Sequence, residues 1–187
     1  MELGSGASTK TRLLIDAARR RGELRWFVPF DVSAAIVEQS AIQLLHELPD
    51  LRIHAVIGDF AVHLDCIPRF GRQLMVFLGS TMGNFLPDAR LRFLSAVRAL
   101  LQPGDAFLVG VDLVKDEREL VAAYDDAAGV TAAFNLNVLS VINRELGADF
   151  DLGAFDHVAR FDRDQEWIEM QLRSRRDQTV SIPCLLY

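Results

Sequence analysis

Residues 74–84 read LMVFLGSTMGN, and this stretch decides the fold class. Its first five residues form an unbroken apolar run, which is typical of a central parallel strand that is covered on both faces. A glycine-rich loop follows. Pro87 then suits the first position of a helix, because the N–H that proline lacks would have no partner within the helix there. The stretch therefore predicts one strand–loop–helix unit of an α/β protein.

The same alternation continues on both sides of this stretch. Helical spacing predicts helices over residues 9–21, 33–48, 87–101, 117–128 and 130–146. Apolar runs predict strands over residues 26–30, 53–57, 106–111, 157–161 and 167–172. The first helix is expected to bury Leu13, Leu14, Ala17 and Ala18, and Ser33 is expected to cap the second. We therefore predict a mostly parallel sheet with an antiparallel hairpin at the C-terminal end, and a first strand truncated to at most three residues before Gly4.

Composition excludes several function classes. The 187 residues are 50% hydrophobic and 25% charged, which is ordinary for a globular chain and not for a disordered one. The formal net charge of −6 makes nucleic acid a poor partner. We see no membrane span and no secretory signal, and the two cysteines, Cys66 and Cys184, lack metal-ligand spacing. We expect a cytoplasmic protein with reduced thiols and no metal.

Acidic residues and glycines stand at the predicted ends of successive strands. Gly4 and Gly6 form a turn after the first strand, Asp31 ends the second, and Asp59 and Phe60 follow the third. A carboxylate about 20 residues beyond such a turn can accept hydrogen bonds from both ribose hydroxyls. Asp59 can accept a hydrogen bond from an adenine amine beside the Phe60 ring. Together these residues predict a ligand that contains adenosine.

The details of the turn favour one such ligand over a dinucleotide. Thr9 stands where the dinucleotide motif has its third glycine, and Glu2 places an acidic group ahead of the turn. Both features disfavour a pyrophosphate. They suit S-adenosylmethionine, which has no phosphate and carries a sulfonium cation.

Two other segments resemble motifs of different enzyme classes. Residues 4–11, GSGASTKT, differ at one position from the sequence motif of a phosphate-binding loop. Asp112 could then be the magnesium ligand, so an NTP hydrolase is an alternative function. Residues 79–83, GSTMG, resemble a nucleophile elbow with threonine in place of serine, although no helix follows directly. The four histidines, His46, His54, His63 and His157, have no partner spacing and are expected at surface or filler positions.

The chain as a whole resembles the histidine-specific Nα-methyltransferases of ergothioneine biosynthesis. The segments that carry the resemblance are ELGSG at 2–6, PFDVS at 29–33, GDF at 58–60, FLGSTMGN at 77–84 and YDDAAGVTAAFN at 124–135. The first three are shared with many methyltransferases, whereas the last two are more specific to this family.

The resemblance implies a Rossmann-like class I methyltransferase that trimethylates the α-amino group of L-histidine to hercynine. It places S-adenosylmethionine on the turn of Gly4 and Gly6 and on further residues, namely Lys10, Asp31, Asp59 and Phe60. It places the amino and carboxylate groups of the substrate histidine on Gly79, Asn84 and Tyr124. Asn84 and Tyr124 would position the substrate, and no side chain would act as a nucleophile.

The resemblance also implies that parts of the family's chain lie outside these 187 residues. We expect residues 1–187 to form an incomplete methyltransferase domain, with the substrate-binding domain largely absent and low stability in isolation. A protein that binds the cofactor without catalysis is therefore the alternative. For the full-length protein we expect a monomer.

Overall fold

The computed structural model describes residues 1–183, and it divides the chain into two compact units. The amino-terminal unit is Met1–Asp112 and the carboxy-terminal unit is Leu113–Tyr187. Cys66 is an exposed free thiol, whereas Cys184 lies outside the described residues. Over residues 1–183, no helix combines the length and the apolar character needed to span a membrane.

A five-stranded parallel sheet forms the centre of the amino-terminal unit. Its strands, in spatial order, are β5 (Val56–Ile57), β3 (Pro29–Asp31), β1 (Glu2–Leu3), β6 (Leu74–Phe77) and β7 (Ala106–Val109). A second parallel pair joins β2 (Trp26–Phe27) to β4 (Arg52–Ile53). The predicted α/β class and mostly parallel sheet are confirmed, and the first strand is indeed only two residues long.

Two of the predicted strands are each divided between the two sheets. The run 26–30 separates into β2 and β3, and the run 53–57 separates into β4 and β5. The break in the first run falls at Val28, whose carbonyl accepts the Glu2 N–H at 2.9 Å. Pro29 follows and has no N–H to donate, so the ladder of β2 cannot continue through it.

The predicted helices are confirmed, and all but the last are shorter than predicted. They are α1 (Thr11–Arg20), α2 (Ala34–Glu47), α3 (Pro87–Leu100), α4 (Glu117–Tyr124) and α5 (Val130–Leu146). The face expected for α1 is wrong, because Leu13 is 76% exposed while Thr11 and Ile15 are buried. The Thr11 hydroxyl donates a hydrogen bond to the buried Glu2 carboxylate, and this bond turns the Thr11–Ile15 side of the helix inward.

Phenylalanine, methionine and aliphatic side chains that share one face of the sheet form the main core, together with side chains of α3. Leu3, Phe30 and Phe77 come from three adjacent strands and are at most 1% exposed. Phe93 and Val97 of α3 pack against them. Because β1 is the middle strand, Leu3 is enclosed by both neighbours despite the shortness of its strand.

The carboxylate of Asp105 joins the starts of β6 and β7. It accepts two hydrogen bonds from the Arg69 guanidinium, at 2.8 and 3.1 Å, and one each from the backbone N–H groups of Gln73 and Gln102, both at 2.8 Å. The Asp105 side chain is 1% exposed. Hydrogen bonding to Arg69, followed by the two backbone bonds, holds the pKa of Asp105 well below its usual range.

The carboxy-terminal unit consists of α4, α5 and an antiparallel hairpin. Strand β8 (Phe155–Asp162) pairs with β9 (Trp167–Ser174), and they form a two-stranded sheet of their own. The Asp162 carboxylate accepts the N–H groups of Asp164 and Gln165 at 3.0 Å and so closes the predicted polar turn. The predicted hairpin is confirmed.

We predict that Asp105→Asn lowers the melting temperature at pH 7. A carboxylate with a depressed pKa stabilises the fold above its unfolded pKa of about 4 and loses that effect as the pH falls towards the folded value. The gap between the wild-type and variant melting temperatures should therefore shrink from pH 5 to pH 2. Thermal unfolding followed by circular dichroism measures this, with the exposed Asp16→Asn as control. A gap that stays constant over this range would contradict the assignment.

Candidate functional site

The carboxyl ends of β3, β1 and β6 lie side by side at one edge of the parallel sheet. Three segments leave the sheet there, namely Asp31 after β3, residues 4–8 after β1 and residues 79–84 after β6. Ligands of open α/β sheets bind outside this edge. The structure therefore brings most of the predicted site residues of the amino-terminal unit to one place.

The turn after β1 is held in a left-handed backbone conformation. Gly4 and Gly6 have φ values of +65° and +46°, and Ser8 has a φ of +52°. The N–H groups of Gly4 and Ser5 both donate to the Phe30 carbonyl, at 2.8 and 3.1 Å. A Cβ on Gly4 would lie 3.8 Å from the Phe60 ring. The turn is thus bound to the end of β3, with Gly4 beside the Phe60 ring.

Asp31 links the turn to the start of α2. Its Oδ2 accepts the Gly6 N–H at 2.9 Å, and its Oδ1 accepts the Ser33 N–H at 3.0 Å. Each carboxylate oxygen has two lone pairs, so each keeps one acceptor direction for a further donor. Ser33 is the residue before α2 as predicted, but its side chain makes no capping bond. The Asp31 carboxylate holds its N–H instead.

The loop after β6 brings distant residues together. Gly79 has a φ of +84°, and a Cβ there would lie 3.9 Å from Lys10 Nζ. Ser80 is also left-handed, with a φ of +60°, which is a strained conformation for a residue with a side chain. A 3₁₀ helix, Thr81–Asn84, follows and leaves Asn84 exposed. Lys10 and Gly79 are therefore neighbours across the ends of adjacent strands.

Each of the two other motifs departs from its class, the first in the structure after Thr81 and the second in its sequence. The Thr81 hydroxyl lies 3.5 Å from the Leu78 carbonyl, and the segment after it is a 3₁₀ turn and not the α-helix of a nucleophile elbow. Thr9 replaces the second glycine of a phosphate-binding loop. Among residues 1–183, no group of three or more His, Cys, Asp or Glu side chains is placed to hold a metal ion.

Asp59 and Phe60 follow β5, at the outer side of Asp31. The Asp59 carboxylate accepts the Ala61 N–H at 2.7 Å, and its own N–H lies 3.2 Å from His63 Nδ1. Phe60 packs edge-on against Phe77, with ring centroids 5.3 Å apart. This packing role could not be predicted from the sequence, because Phe77 lies on another strand. His63 is exposed, as expected of a surface position, and its contact with Asp59 adds a role that the sequence did not indicate.

Glu2 is a buried carboxylate beneath the turn, 4% exposed. The Thr11 hydroxyl donates to its Oε1, and burial is the main cause that raises the pKa of Glu2. Within residues 1–183, Glu2 Oε2 and the hydroxyls of Ser5 and Ser8 are buried with no hydrogen-bond partner. Unpartnered polar atoms are costly when buried, so their presence around the glycine turn is consistent with a polar ligand there.

Tyr124 belongs to the carboxy-terminal unit. It is the last residue of α4, and its side chain is half-buried. Its carbonyl oxygen lies 2.7 Å from His157 Nε2. His157 is therefore not a filler residue, contrary to expectation, and no sequence spacing could have revealed a partner 33 residues away.

A family profile described as a SAM-dependent, histidine-specific methyltransferase matches residues 1–185. The chain belongs to this family. It is 57% identical over 185 residues to histidine N-alpha-methyltransferase of Mycolicibacterium smegmatis and 56% identical to that of Mycobacterium tuberculosis. It is 30% identical over 190 residues to ergothioneine biosynthesis protein 1 of Schizosaccharomyces pombe. The resemblance inferred from the sequence is confirmed.

The matches cover nearly all of this chain and only part of each relative. They take in 99% of this chain but 58% of the length of each mycobacterial enzyme, and 96% of this chain but 24% of the fission yeast protein. The chain thus spans just over half the length of the mycobacterial relatives. The matched region contains the whole strand-edge site described above.

We predict that Asp31→Ala loosens the glycine turn. Removing the carboxylate takes away the acceptor of the Gly6 N–H, so hydrogen exchange at the Gly6 amide should accelerate at least about tenfold, the effect of losing about 1.4 kcal/mol. Amide exchange by NMR measures this. Asp59→Ala is the matched control, because Asp59 holds Ala61 and not Gly6. Unchanged exchange at Gly6 in Asp31→Ala would show that the bond does not support the turn.

Proposed function

We propose that this chain binds S-adenosylmethionine at the carboxyl edge of its sheet and takes part in methylating the α-amino group of L-histidine. The product of three transfers would be hercynine, in ergothioneine biosynthesis. The observation that carries the proposal is the family match over residues 1–185, which includes every residue of that edge. The names of the relatives supply the substrate and the pathway.

The cofactor residues of this proposal are Gly4, Gly6, Lys10, Asp31, Asp59 and Phe60. Asp31 would accept hydrogen bonds from the ribose hydroxyls through the lone pairs that Gly6 and Ser33 leave free. The left-handed turn lets the backbone approach the ligand where a side chain would intrude. Lys10, beside Gly79, is suited to pair with a ligand carboxylate.

Asp59 and Phe60 would hold the adenine. The exposed Asp59 carboxylate would accept a hydrogen bond from the exocyclic amine, and Phe60 would offer a rigid apolar surface. Three phenylalanines keep Phe60 in place, because its ring packs edge-on against Phe77, Phe85 and Phe93 at centroid distances of 5.3 to 6.1 Å. The acidic groups at this edge also favour a cationic ligand by simple charge attraction.

The substrate residues of this proposal are Gly79, Asn84 and Tyr124. The exposed amide of Asn84 can accept a hydrogen bond from an amine and donate one to a carboxylate. The family resemblance gives the Tyr124 hydroxyl the role of a hydrogen-bond donor to the substrate carboxylate. Small Gly79 would leave room around a nitrogen that gains methyl groups.

The chemistry requires positioning more than activation. When bound, S-adenosylmethionine supplies a methyl group on a sulfonium, which is a good leaving group. The protein's part is to present a neutral amine lone pair in line with that methyl group, and Asn84 and Tyr124 would do so by fixing the substrate's two polar groups. No nucleophilic side chain is required.

Calorimetry and mass spectrometry test this proposal. We expect S-adenosylmethionine to bind the 187-residue chain, and Asp31→Ala to weaken binding about 10- to 100-fold, as expected for losing charge-assisted bonds of about 1.5–3 kcal/mol. Asp16→Ala, an exposed change on α1, should leave the affinity unaltered. Methylated histidine after incubation with both compounds would show catalysis.

The two assays separate the outcomes. Cofactor binding with unmodified histidine would mean a cofactor-binding chain that does not catalyse alone. No heat of binding at millimolar S-adenosylmethionine would overturn the proposal. Magnesium-dependent ATP turnover would favour the phosphate-loop alternative instead.

A further inference from the structure

His157 connects three elements of the carboxy-terminal unit through two hydrogen bonds. It lies on β8, with Nε2 2.7 Å from the Tyr124 carbonyl oxygen at the end of α4. Its Nδ1 lies 2.9 Å from Asn135 Nδ2 on α5. The Asn135 amide is buried, and its Nδ2 also donates to the Gln171 carbonyl of β9 at 3.1 Å. All four residues lie among those that the structure describes.

These bonds allow one arrangement of protons. A backbone carbonyl only accepts, so the Tyr124 contact requires a proton on His157 Nε2. Asn135 Nδ2 faces the Gln171 carbonyl, which fixes it as the donor side of the amide, so His157 Nδ1 must accept. The network therefore selects the neutral imidazole with its proton on Nε2. Asn135 orients the ring and the ring in turn holds Tyr124.

The bond to Tyr124 is placed where a helix needs it. The last carbonyls of a helix have no partner within the helix, and Tyr124 is the final residue of α4. The Val121 carbonyl is taken by the Asp125 N–H at 2.8 Å, and His157 takes the Tyr124 carbonyl. Fixing that carbonyl fixes the backbone from which the Tyr124 side chain projects.

The segment beyond Tyr124 is fixed at its other end as well. The Asp126 carboxylate accepts the N–H groups of Val130 and Thr131 at 3.1 and 2.7 Å, which caps the start of α5. These bonds, led by the one from Thr131, lower the pKa of Asp126 to about 2. Gly129, left-handed with a φ of +71°, lets the chain turn into α5. The segment 124–130 is thus held by a side chain at each end.

We propose that His157, oriented by Asn135, is the residue that positions Tyr124 for binding the carboxylate of the substrate amino acid. This rests on the proposed function, in which Tyr124 contacts that carboxylate. His157 itself need not touch the substrate. Its role is to set the end of α4, and through it the direction of the Tyr124 side chain.

Two substitutions at position 157 separate the two bonds. His157→Gln keeps a donor at the place of Nε2, so it should retain the bond to Tyr124. His157→Asn keeps an acceptor near Nδ1 for Asn135 but is too short to reach the Tyr124 carbonyl. We expect His157→Asn to raise the Kd for L-histidine about tenfold in the presence of S-adenosylhomocysteine, and His157→Gln to restore most of the loss. The Kd for S-adenosylmethionine should be unchanged in both.

A double-mutant cycle with Tyr124→Phe tests whether His157 acts through Tyr124. If it does, His157→Asn should cause no further loss of L-histidine affinity once the Tyr124 hydroxyl is gone. Additive losses, or equal losses in the Asn and Gln variants, would overturn the proposal. A general loss of structure would instead lower the affinity for both ligands and the melting temperature together, and this outcome would also count against it.

An NMR measurement without substrate separates failure of the proposed substrate role from failure of the bond between His157 and Tyr124. The sequence has two tyrosines, Tyr124 and Tyr187, so ring carbon-13 labelling gives two signals, which Tyr124→Phe assigns. The Tyr124 signal should shift in His157→Asn and return towards its wild-type position in His157→Gln. If the wild-type chain binds no L-histidine but these shifts occur, the proposed substrate role fails while the hold on Tyr124 stands. If the Tyr124 signal does not respond, the hold itself is refuted.

Discussion

The candidate site depends on the backbone pairing of two residues, Glu2 and Leu3. They form β1, which pairs with β3 on one side and with β6 on the other. Leu3 is fully buried between them, and the Glu2 N–H bonds the Val28 carbonyl at 2.9 Å. Without this strand, β3 and β6 would face each other across an unfilled slot with unpaired backbone groups. The glycine turn, Asp31 and the loop after β6 would then no longer lie at one edge of the sheet. The short strand therefore determines how these three segments are placed.

The two central loops of that edge both contain left-handed backbone. Each leaves its strand through left-handed residues, Gly4 and Gly6 in one and Gly79 and Ser80 in the other. Such backbone is strained wherever a side chain is present, at about 1–3 kcal/mol for Ser8 and Ser80. Hydrogen bonds from the turn to Phe30 and Asp31 oppose this strain on the β1 side. The tight loops leave their backbone open to a ligand, and they also explain why Lys10 approaches Gly79.

The sequence predicted those features that depend on local pattern. Helix α5 has the predicted bounds, α3 begins at Pro87, and the apolar run at 74–78 is a central strand. The placement of Asp31 at a strand end followed from the apolar run that ends at Phe30. The division of the strand at Val28, the inward side of α1 and the partners of His157 were not predictable in this way. Each involves a group on another element of the fold: the Glu2 N–H, which together with the missing N–H of Pro29 divides the strand, the Glu2 carboxylate, and the Tyr124 carbonyl.

We propose that S-adenosylmethionine binds the edge formed by the carboxyl ends of β3, β1 and β6. Proton–nitrogen correlation spectra of the chain, recorded while S-adenosylmethionine is added, test it most directly. We expect the amide signals of Gly4, Gly6, Asp31 and Gly79 to shift together, with one saturation curve. Signals that stay in place at millimolar ligand, or that shift only at residues away from this edge, would contradict it.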